Sequence, residues 1–257
     1  MKENDTVKVA VAAGEIMLSA GAETMRVEET MYRMMEAKGL TEIESFCTTT
    51  GIFACATGSD DEVVTVIKRV KVRDNNLEKI AKVNELSRCF VEGRLDEKTA
   101  MKELNNIRHL LPYPNLLRIV AAAVASLCFA YMFGGTWVDA VNTLITAALM
   151  QVPVIFLERR RVVPTLVTIA GGAFGTLFAL TLLNLGIGEN VEFIITGAIM
   201  PLVPGVALTN AIRDILDGNM LAGSARTLEA LLTAVAIAAG VGVVLTSWMA
   251  VFGGVFW

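Results

Sequence analysis

The sequence predicts a membrane-spanning all-α bundle of about five helices, preceded by a small cytosolic α+β domain. Apolar residues make up 54% of the chain, charged residues only 19%, and the mean hydropathy is +0.57. The charges are also uneven, since 16 of the 22 Lys and Arg and 19 of the 26 Asp and Glu lie before residue 116. A second half so poor in charge is typical of a chain surrounded by lipid. We therefore expect a cytosolic domain over 1–111 and a transmembrane domain over 112–257.

The first 111 residues predict alternating helices and strands. Residues 5–38 indicate helix with a break at Ser19-Ala20-Gly21, and Val27, Met31, Met34 and Met35 share one face of the second part. Runs with strand character follow over 42–48, 52–56 and 63–72, and turn residues separate them. Two further helices begin after residue 76 and near Asp96, a favourable N-cap. This pattern predicts a small α+β domain.

Five apolar stretches after residue 112 predict the transmembrane helices. Each is close to the ~20 residues that cross the hydrocarbon core. Their bounds are 116–134, 137–157, 162–185, 191–212 and 226–252. Positive charge lies between the second and third stretches (residues 159–161) and beside the link between the fourth and fifth (Arg213 and Arg226). By the positive-inside rule this alternation predicts a cytosolic N-terminus and an external C-terminus in the cytoplasmic membrane.

The fourth stretch contains helix-breaking residues at its centre. Pro201, Pro204 and Gly205 interrupt the ladder of backbone hydrogen bonds, and lipid offers no partner to the groups that are freed. Broken membrane helices commonly bind solutes. A kinked helix with a solvated end is the alternative interpretation.

Polar residues follow the break at helical spacing. Together with the break they form our candidate substrate-binding set: Pro201, Pro204, Gly205, Thr209, Asn210, Arg213 and Asp214. Arg213 is the candidate cation for a substrate carboxylate, because a guanidinium binds carboxylates with two parallel hydrogen bonds. Its alternative role is a positive-inside anchor paired with Asp214.

Several function classes lack support in the sequence. A P-loop motif is absent, only one histidine is present, and the four cysteines show no metal-ligand spacing. We expect no catalytic residues, no metal and no cofactor, and we interpret the cysteines as buried reduced thiols. The net charge of −4 and the absence of a basic block argue against a nucleic-acid partner.

Two separate stretches resemble the threonine/serine exporter family. Residues 21–30, GAETMRVEET, resemble a signature near the start of that family, and 201–205, PLVPG, with 209–214, TNAIRD, and 224–226, SAR, resemble its membrane signature. The region from 75–77 to Ser87-Arg88 is similar as well. The resemblance covers nearly the whole chain and implies an exporter of threonine, serine or a dicarboxylate such as succinate.

The resemblance also implies a partner. Full-length members carry about ten spans, whereas split members divide them between two proteins, one pair of which is implicated in succinate export. The chain's spans, about five, correspond to the first subunit of a split exporter. We expect this subunit to assemble with a second-half subunit or with copies of itself in a homo-oligomer. An odd number of spans places the two termini on opposite sides of the membrane. A related half could therefore lie beside this chain in the inverted orientation. The alternative function is a membrane-anchored assembly or regulatory subunit whose cytosolic domain binds a partner.

The first signature segment, residues 21–30, is compatible with two kinds of role. Glu23, Arg26 and Glu28 are candidates for a functional cytosolic site or for a gate over the pore mouth. They are equally candidates for a contact between helices or subunits.

Overall fold

The chain divides into two compact units in a computed structural model that describes residues 2–71, 75–111 and 113–253. The first unit comprises Met1–Leu111 with Gly205–Glu229, and the second comprises Pro112–Pro204 with Ala230–Trp257. The cytosolic domain over 1–111 and the transmembrane domain over 112–257 stay predictions. The compact units are drawn differently, because Gly205–Glu229 clusters with the N-terminal residues.

The first unit begins with two helices packed on an antiparallel sheet. Helix α1 is buried along most of its length, and helix α2 buries the predicted face of Val27, Met31, Met34 and Met35 completely. The three strands pair in the order β1-β2-β3, with Thr48 opposite Gly51 across the first turn. The bounds are α1 Lys2–Ser19, α2 Thr24–Glu36, β1 Thr41–Thr48, β2 Gly51–Thr57 and β3 Val63–Arg69. The predicted α+β domain is therefore present, although Val72, the predicted end of the third strand, lies outside the described residues.

Two capped helices complete the N-terminal part of this unit. They are α3, Leu77–Val91, and α4, Glu97–Arg108. The Asn76 side chain accepts a hydrogen bond from the Lys79 N–H, and Asp96 accepts one from the Thr99 N–H at 3.1 Å, as its predicted role as N-cap requires. Phe90 of α3 is fully buried in the same core as the methionines of α2.

The remaining helices are long and apolar. Four of them could cross a membrane, or five if a bent pair counts as one crossing, which agrees with the predicted number of about five. Their bounds are α5 Asn115–Met132, α6 Trp137–Arg159, α7 Pro164–Asn184, α8 Val191–Ile199, α9 Gly205–Leu216 and α10 Met220–Phe252. Helices α5 to α8 and the end of α10 pack together in the second unit, where Ala179, Leu180 and Ile194 lie in one apolar cluster.

The bent pair is the predicted fourth span. Helix α8 ends at Ile199, one 3-10 turn covers Met200–Leu202, and α9 begins at Gly205. The interruption coincides with the two prolines, whose rings clash with the preceding turn and whose nitrogens donate no hydrogen bond. The predicted stretch 191–212 is thus two helices and not one kinked rod.

Candidate functional site

The two signature segments of the sequence contact each other in the first unit. Residues 21–23 belong to the turn between α1 and α2, Thr24 begins α2, and residues 210–226 run from α9 into α10. Seven polar residues bridge the two segments by hydrogen bonds or ion pairs, and we call them the docking cluster. They are Glu23, Thr24, Asn210, Arg213, Asp214, Asn219 and Arg226.

Asp214 lies at the centre of the docking cluster and caps helix α2. One oxygen, Oδ1, accepts hydrogen bonds from the Thr24 N–H at 3.0 Å and from the Thr24 hydroxyl at 2.9 Å. The residue at the N-cap position, Glu23, makes no side-chain cap of its own, so that a carboxylate 190 residues away takes over this role. The negative charge at the start of α2 also complements the helix dipole. Asp214 is fully buried.

Arg226 neutralises this buried carboxylate. Its Nε lies 3.2 Å from Oδ2 of Asp214, and its Nη2 donates a hydrogen bond of 2.6 Å to the Ala22 carbonyl. The arginine is only 7% exposed. A buried ion pair is tolerated when additional hydrogen bonds support its partners. Here the Ala22 carbonyl accepts from Arg226 and the Thr24 N–H donates to Oδ1 of Asp214, whereas the buried Oδ2 faces Arg226 without a hydrogen bond.

Arg213 and Asn210 form the exposed edge of the docking cluster. The Arg213 guanidinium pairs with the Glu23 carboxylate, and the Asn210 amide donates a hydrogen bond of 2.8 Å to the Gly21 carbonyl. The side chain of Arg213 remains 55% exposed. The predicted alternative of an Arg213–Asp214 pair does not match this arrangement, because Asp214 pairs with Arg226.

The other predicted substrate-binding residues lie near the break. The Thr209 hydroxyl donates a hydrogen bond of 2.9 Å to the Gly205 carbonyl within its own helix. Pro201 and Gly205 are exposed, and Pro204 is half-buried. Of the seven predicted residues, the structure therefore brings Asn210, Arg213 and Asp214 into the docking cluster, where they contact protein groups.

The three motif residues of the N-terminal unit face different surroundings. Glu23 joins the docking cluster, whereas Arg26 lines a cleft between α2 and α3. Glu28 accepts a hydrogen bond of 2.7 Å from the Cys47 N–H and so fixes α2 on the edge strand β1. Burial raises the pKa of Glu28, an effect that this hydrogen bond opposes and that the Asp214 charge reinforces. The three side chains thus do not form one common site.

Asp139 is a second buried carboxylate, at the start of α6 in the second unit, and it is not among the candidate site residues predicted from the sequence. It accepts hydrogen bonds from the backbone N–H groups of Thr136, Glu189 and Asn190 and from the side chains of Thr136 and Asn190. The Thr136 hydroxyl in turn accepts from the Asp139 N–H, which completes a capping box. The Thr-x-x-Asp spacing is the sequence signal that could have predicted this capping box, which is the local part of the hydrogen-bond network.

Metal and thiol chemistry receive little support from the geometry. Among the residues that the structure describes, no group of three or more His, Cys, Asp or Glu could hold a metal ion. The four cysteines are free thiols, but the prediction that all are buried is wrong: Cys47 is buried, Cys55 and Cys89 are half-buried, and Cys128 is exposed. Cys128 lies on the apolar helix α5, where exposure within the chain is compatible with lipid contact. Burial raises the pKa of the Cys47 thiol strongly, which disfavours a reactive thiolate.

These features define a class of protein. It is a multi-pass membrane protein in which four to five apolar spans, one of them divided at two prolines, are joined to an α+β unit. The family model described as "Putative threonine/serine exporter" matches residues 8–248, and the chain belongs to this family. The predicted recognition is confirmed, and so is the prediction of a transporter and not an enzyme.

Curated relatives of two kinds resemble the chain. It is 26% identical over 235 residues to a "Probable threonine/serine exporter" of Mycobacterium tuberculosis, covering 90% of this chain and 44% of that protein. It is 26% identical over 243 residues to a "Threonine/serine exporter" of Corynebacterium glutamicum, covering 92% and 50%. The chain thus spans about half the length of these two relatives.

The second kind of relative is of similar length. The "Probable succinate transporter subunit YjjP" of Escherichia coli is 26% identical over 248 residues, which cover 96% of this chain and 96% of that protein. No solved structure matches the chain.

Proposed function

We propose that the chain is one subunit of a secondary exporter that moves small carboxylate metabolites, such as threonine, serine or succinate, out of the cytosol. Its family supports the class of activity, and the printed names of its relatives support these substrates. The word "subunit" in one of these names supports a partner. We propose that this partner carries a second set of about five spans, and a second copy of this chain is the competing arrangement. The proposed location is the cytoplasmic membrane, with residues 1–111 in the cytosol and the C-terminus outside.

The observation that carries this proposal is the break between Ile199 and Gly205. A membrane helix interrupted by Pro201 and Pro204 leaves backbone groups without their usual partners, and hydrocarbon cannot supply new ones. Protein or water must surround these groups, and a polar compartment within the membrane is the condition for a solute path.

The start of α9 suits an anionic solute. The first N–H groups of a helix have no acceptor within it, and the helix dipole makes this end favourable for negative charge. Gly205 leaves this end uncrowded, because a Cβ built there would meet nothing within 4 Å. We therefore propose that the backbone around Pro201, Pro204 and Gly205, with the Thr209 hydroxyl, contributes to binding of the substrate carboxylate.

We propose two different roles for the polar residues further along α9. Arg213 is more than half exposed and pairs with Glu23 through one nitrogen, Nη1, so that its other donors remain available to a carboxylate. Asn210 and Asp214 are engaged in the docking cluster, and we propose that they position α9 against residues 21–24.

Efflux measurements test the proposal. Cells that lack both exporter halves would be complemented with this chain and its partner, loaded with threonine, serine or succinate, and followed for loss of the solute. We expect efflux of at least one solute that requires this chain. Unchanged efflux on deleting the chain, with the partner intact, would refute export and favour the alternative of an assembly or regulatory subunit.

Two substitutions separate the roles of Arg213. Removing Glu23 with Glu23→Ala leaves the guanidinium in place but abolishes its ion pair, so this variant serves as the matched control for Arg213→Ala. If Arg213 binds the substrate, Arg213→Ala lowers efflux at least about tenfold at equal membrane abundance while Glu23→Ala does not. An equal loss in both variants would limit Arg213 to docking.

A further inference from the structure

A polar cleft lies between α2 and α3 within the first unit, away from the docking cluster. Its volume is about 290 Å³, and three arginines line it: Arg26 and Arg33 from α2 and Arg88 from α3. Thr30 and Asn84 add a hydroxyl and an amide. Concave sites near this size commonly hold small molecules.

The charge in the cleft is not balanced. Glu29 pairs with Arg33 at 2.5 Å, and Glu92, the other carboxylate of the lining, pairs with Arg94 outside it. Within the described part of the chain, Arg26 and Arg88 have no carboxylate at ion-pair distance. Two guanidinium groups are therefore left with unused donors in one concave site.

Helical spacing explains why these side chains face one another. Arg26, Thr30 and Arg33 recur every three or four residues on α2, and Asn84, Arg88 and Val91 do so on α3. Residues at this spacing share one helix face. Arg26 belongs to the first signature segment and Arg88 to the third stretch of family resemblance, so that two stretches 62 residues apart meet at the cleft.

We propose that this cleft is a second ligand site, in the N-terminal unit, which binds a small dicarboxylate. One carboxylate would bind Arg26 and the other Arg88, since each guanidinium accommodates a carboxylate with two parallel hydrogen bonds. Val91 supplies an apolar wall for the short carbon chain between them. The small volume favours a ligand smaller than a nucleotide, and a zwitterionic amino acid would bring its ammonium group close to a second arginine.

The site is independent of the transport path. None of its lining residues belongs to the docking cluster or to the break between Ile199 and Gly205. A ligand here would bind whether or not the chain transports it, and occupancy would report the cytosolic concentration of the dicarboxylate to the same unit that contains α9.

Calorimetric titration of the full chain in lipid nanodiscs tests the proposal, with succinate as the probe. We expect saturable binding that Arg26→Gln and Arg88→Gln each weaken at least about tenfold, because each removes a charge-assisted contact. Lys102→Gln is the matched control, since it removes one exposed positive charge on α4 outside the cleft. Arg213→Gln separates this site from the proposed transport site and should leave the cleft affinity unchanged.

Four outcomes would overturn the inference. These are no saturable succinate binding, equal affinity in wild type and in both cleft variants, an equal loss in Lys102→Gln, or threonine or inorganic sulfate binding as tightly as succinate. Arg26 and Arg88 are exposed, so both variants should retain the melting temperature of the wild type. If either does not, Arg26→Lys and Arg88→Lys, which keep the charge but lose the paired geometry, replace them and should also weaken binding.

Discussion

Removing the charge of Asp214 should loosen the N-terminal unit more than any exposed substitution nearby. Asp214→Asn retains an oxygen that can accept from the Thr24 N–H and hydroxyl, so the cap on α2 survives in part. What it removes is the negative charge beside the guanidinium of Arg226, whose side chain is 8% exposed. The variant therefore isolates the contribution of the buried ion pair.

The magnitude follows from the burial of both partners. Removing one member of a buried ion pair typically costs about 3–5 kcal/mol, because the other charge stays in a poorly solvated place. In a protein of this size each kcal/mol lowers the melting temperature by roughly 2–4 °C, so we expect a decrease of roughly 6–20 °C. The double variant Asp214→Asn/Arg226→Gln removes both charges and should lose far less than the sum of the single losses.

Thermal unfolding of the purified chain in detergent measures these losses. Hydrogen exchange localises them, and we expect faster exchange at the first turn of α2. Asp217→Asn is the matched control, since Asp217 is an exposed carboxylate three residues away. A loss in Asp214→Asn no larger than in Asp217→Asn, or strict additivity in the double variant, would refute the argument that this pair holds the docking cluster together.

Three further predictions concern stability. Burial raises the pKa of Glu28, so its charged form destabilises the fold near pH 8, and this penalty disappears as the pH falls through that pKa. Glu28→Gln should therefore raise the melting temperature near pH 8 and give no gain near pH 4. Glu28→Ala should lower the free energy of unfolding by roughly 1–3 kcal/mol, because it leaves the Cys47 N–H without its acceptor. Asp139→Asn should lose roughly 3 kcal/mol in detergent unfolding, since an amide cannot accept all the hydrogen bonds that the carboxylate receives. Gly240→Ala should lose about 1–3 kcal/mol, because its Cβ would lie 2.1 Å from the Ile169 carbonyl oxygen, whereas Gly242→Ala, with open space around it, should be neutral in the same measurement.

Local patterns in the sequence predicted much of the fold. The methionine face of α2, the Asp96 cap and the division of the sheet by Thr50-Gly51 all depend on residues within a few positions of one another. The interruption at Pro201 is local too, since the ring and the missing N–H act on the preceding turn. Periodicity and turn chemistry are sufficient where neighbours along the chain determine the structure.

The site was harder to predict because its contacts are remote in sequence. Thr24 and Asp214 lie 190 positions apart, and no spacing rule connects them. The sequence marked both segments as distinctive, but it placed Asp214 in the candidate substrate-binding set. The structure instead buries it as the cap of α2.

The docking cluster gives the two signature segments a common physical role. The same short helix, α9, follows the break at the prolines and carries the residues that bind the turn between α1 and α2. A rearrangement at the break that rotates α9 must therefore either carry residues 21–24 with it or separate Asp214 from Thr24 and Arg226. The second course breaks the two hydrogen bonds between Thr24 and Asp214 as well as the ion pair with Arg226, so the first is favoured. In an exporter that alternates between two states, helices α1 and α2 would then move with α9, and a ligand between α2 and α3 would bias that motion to the extent that it binds the two states differently.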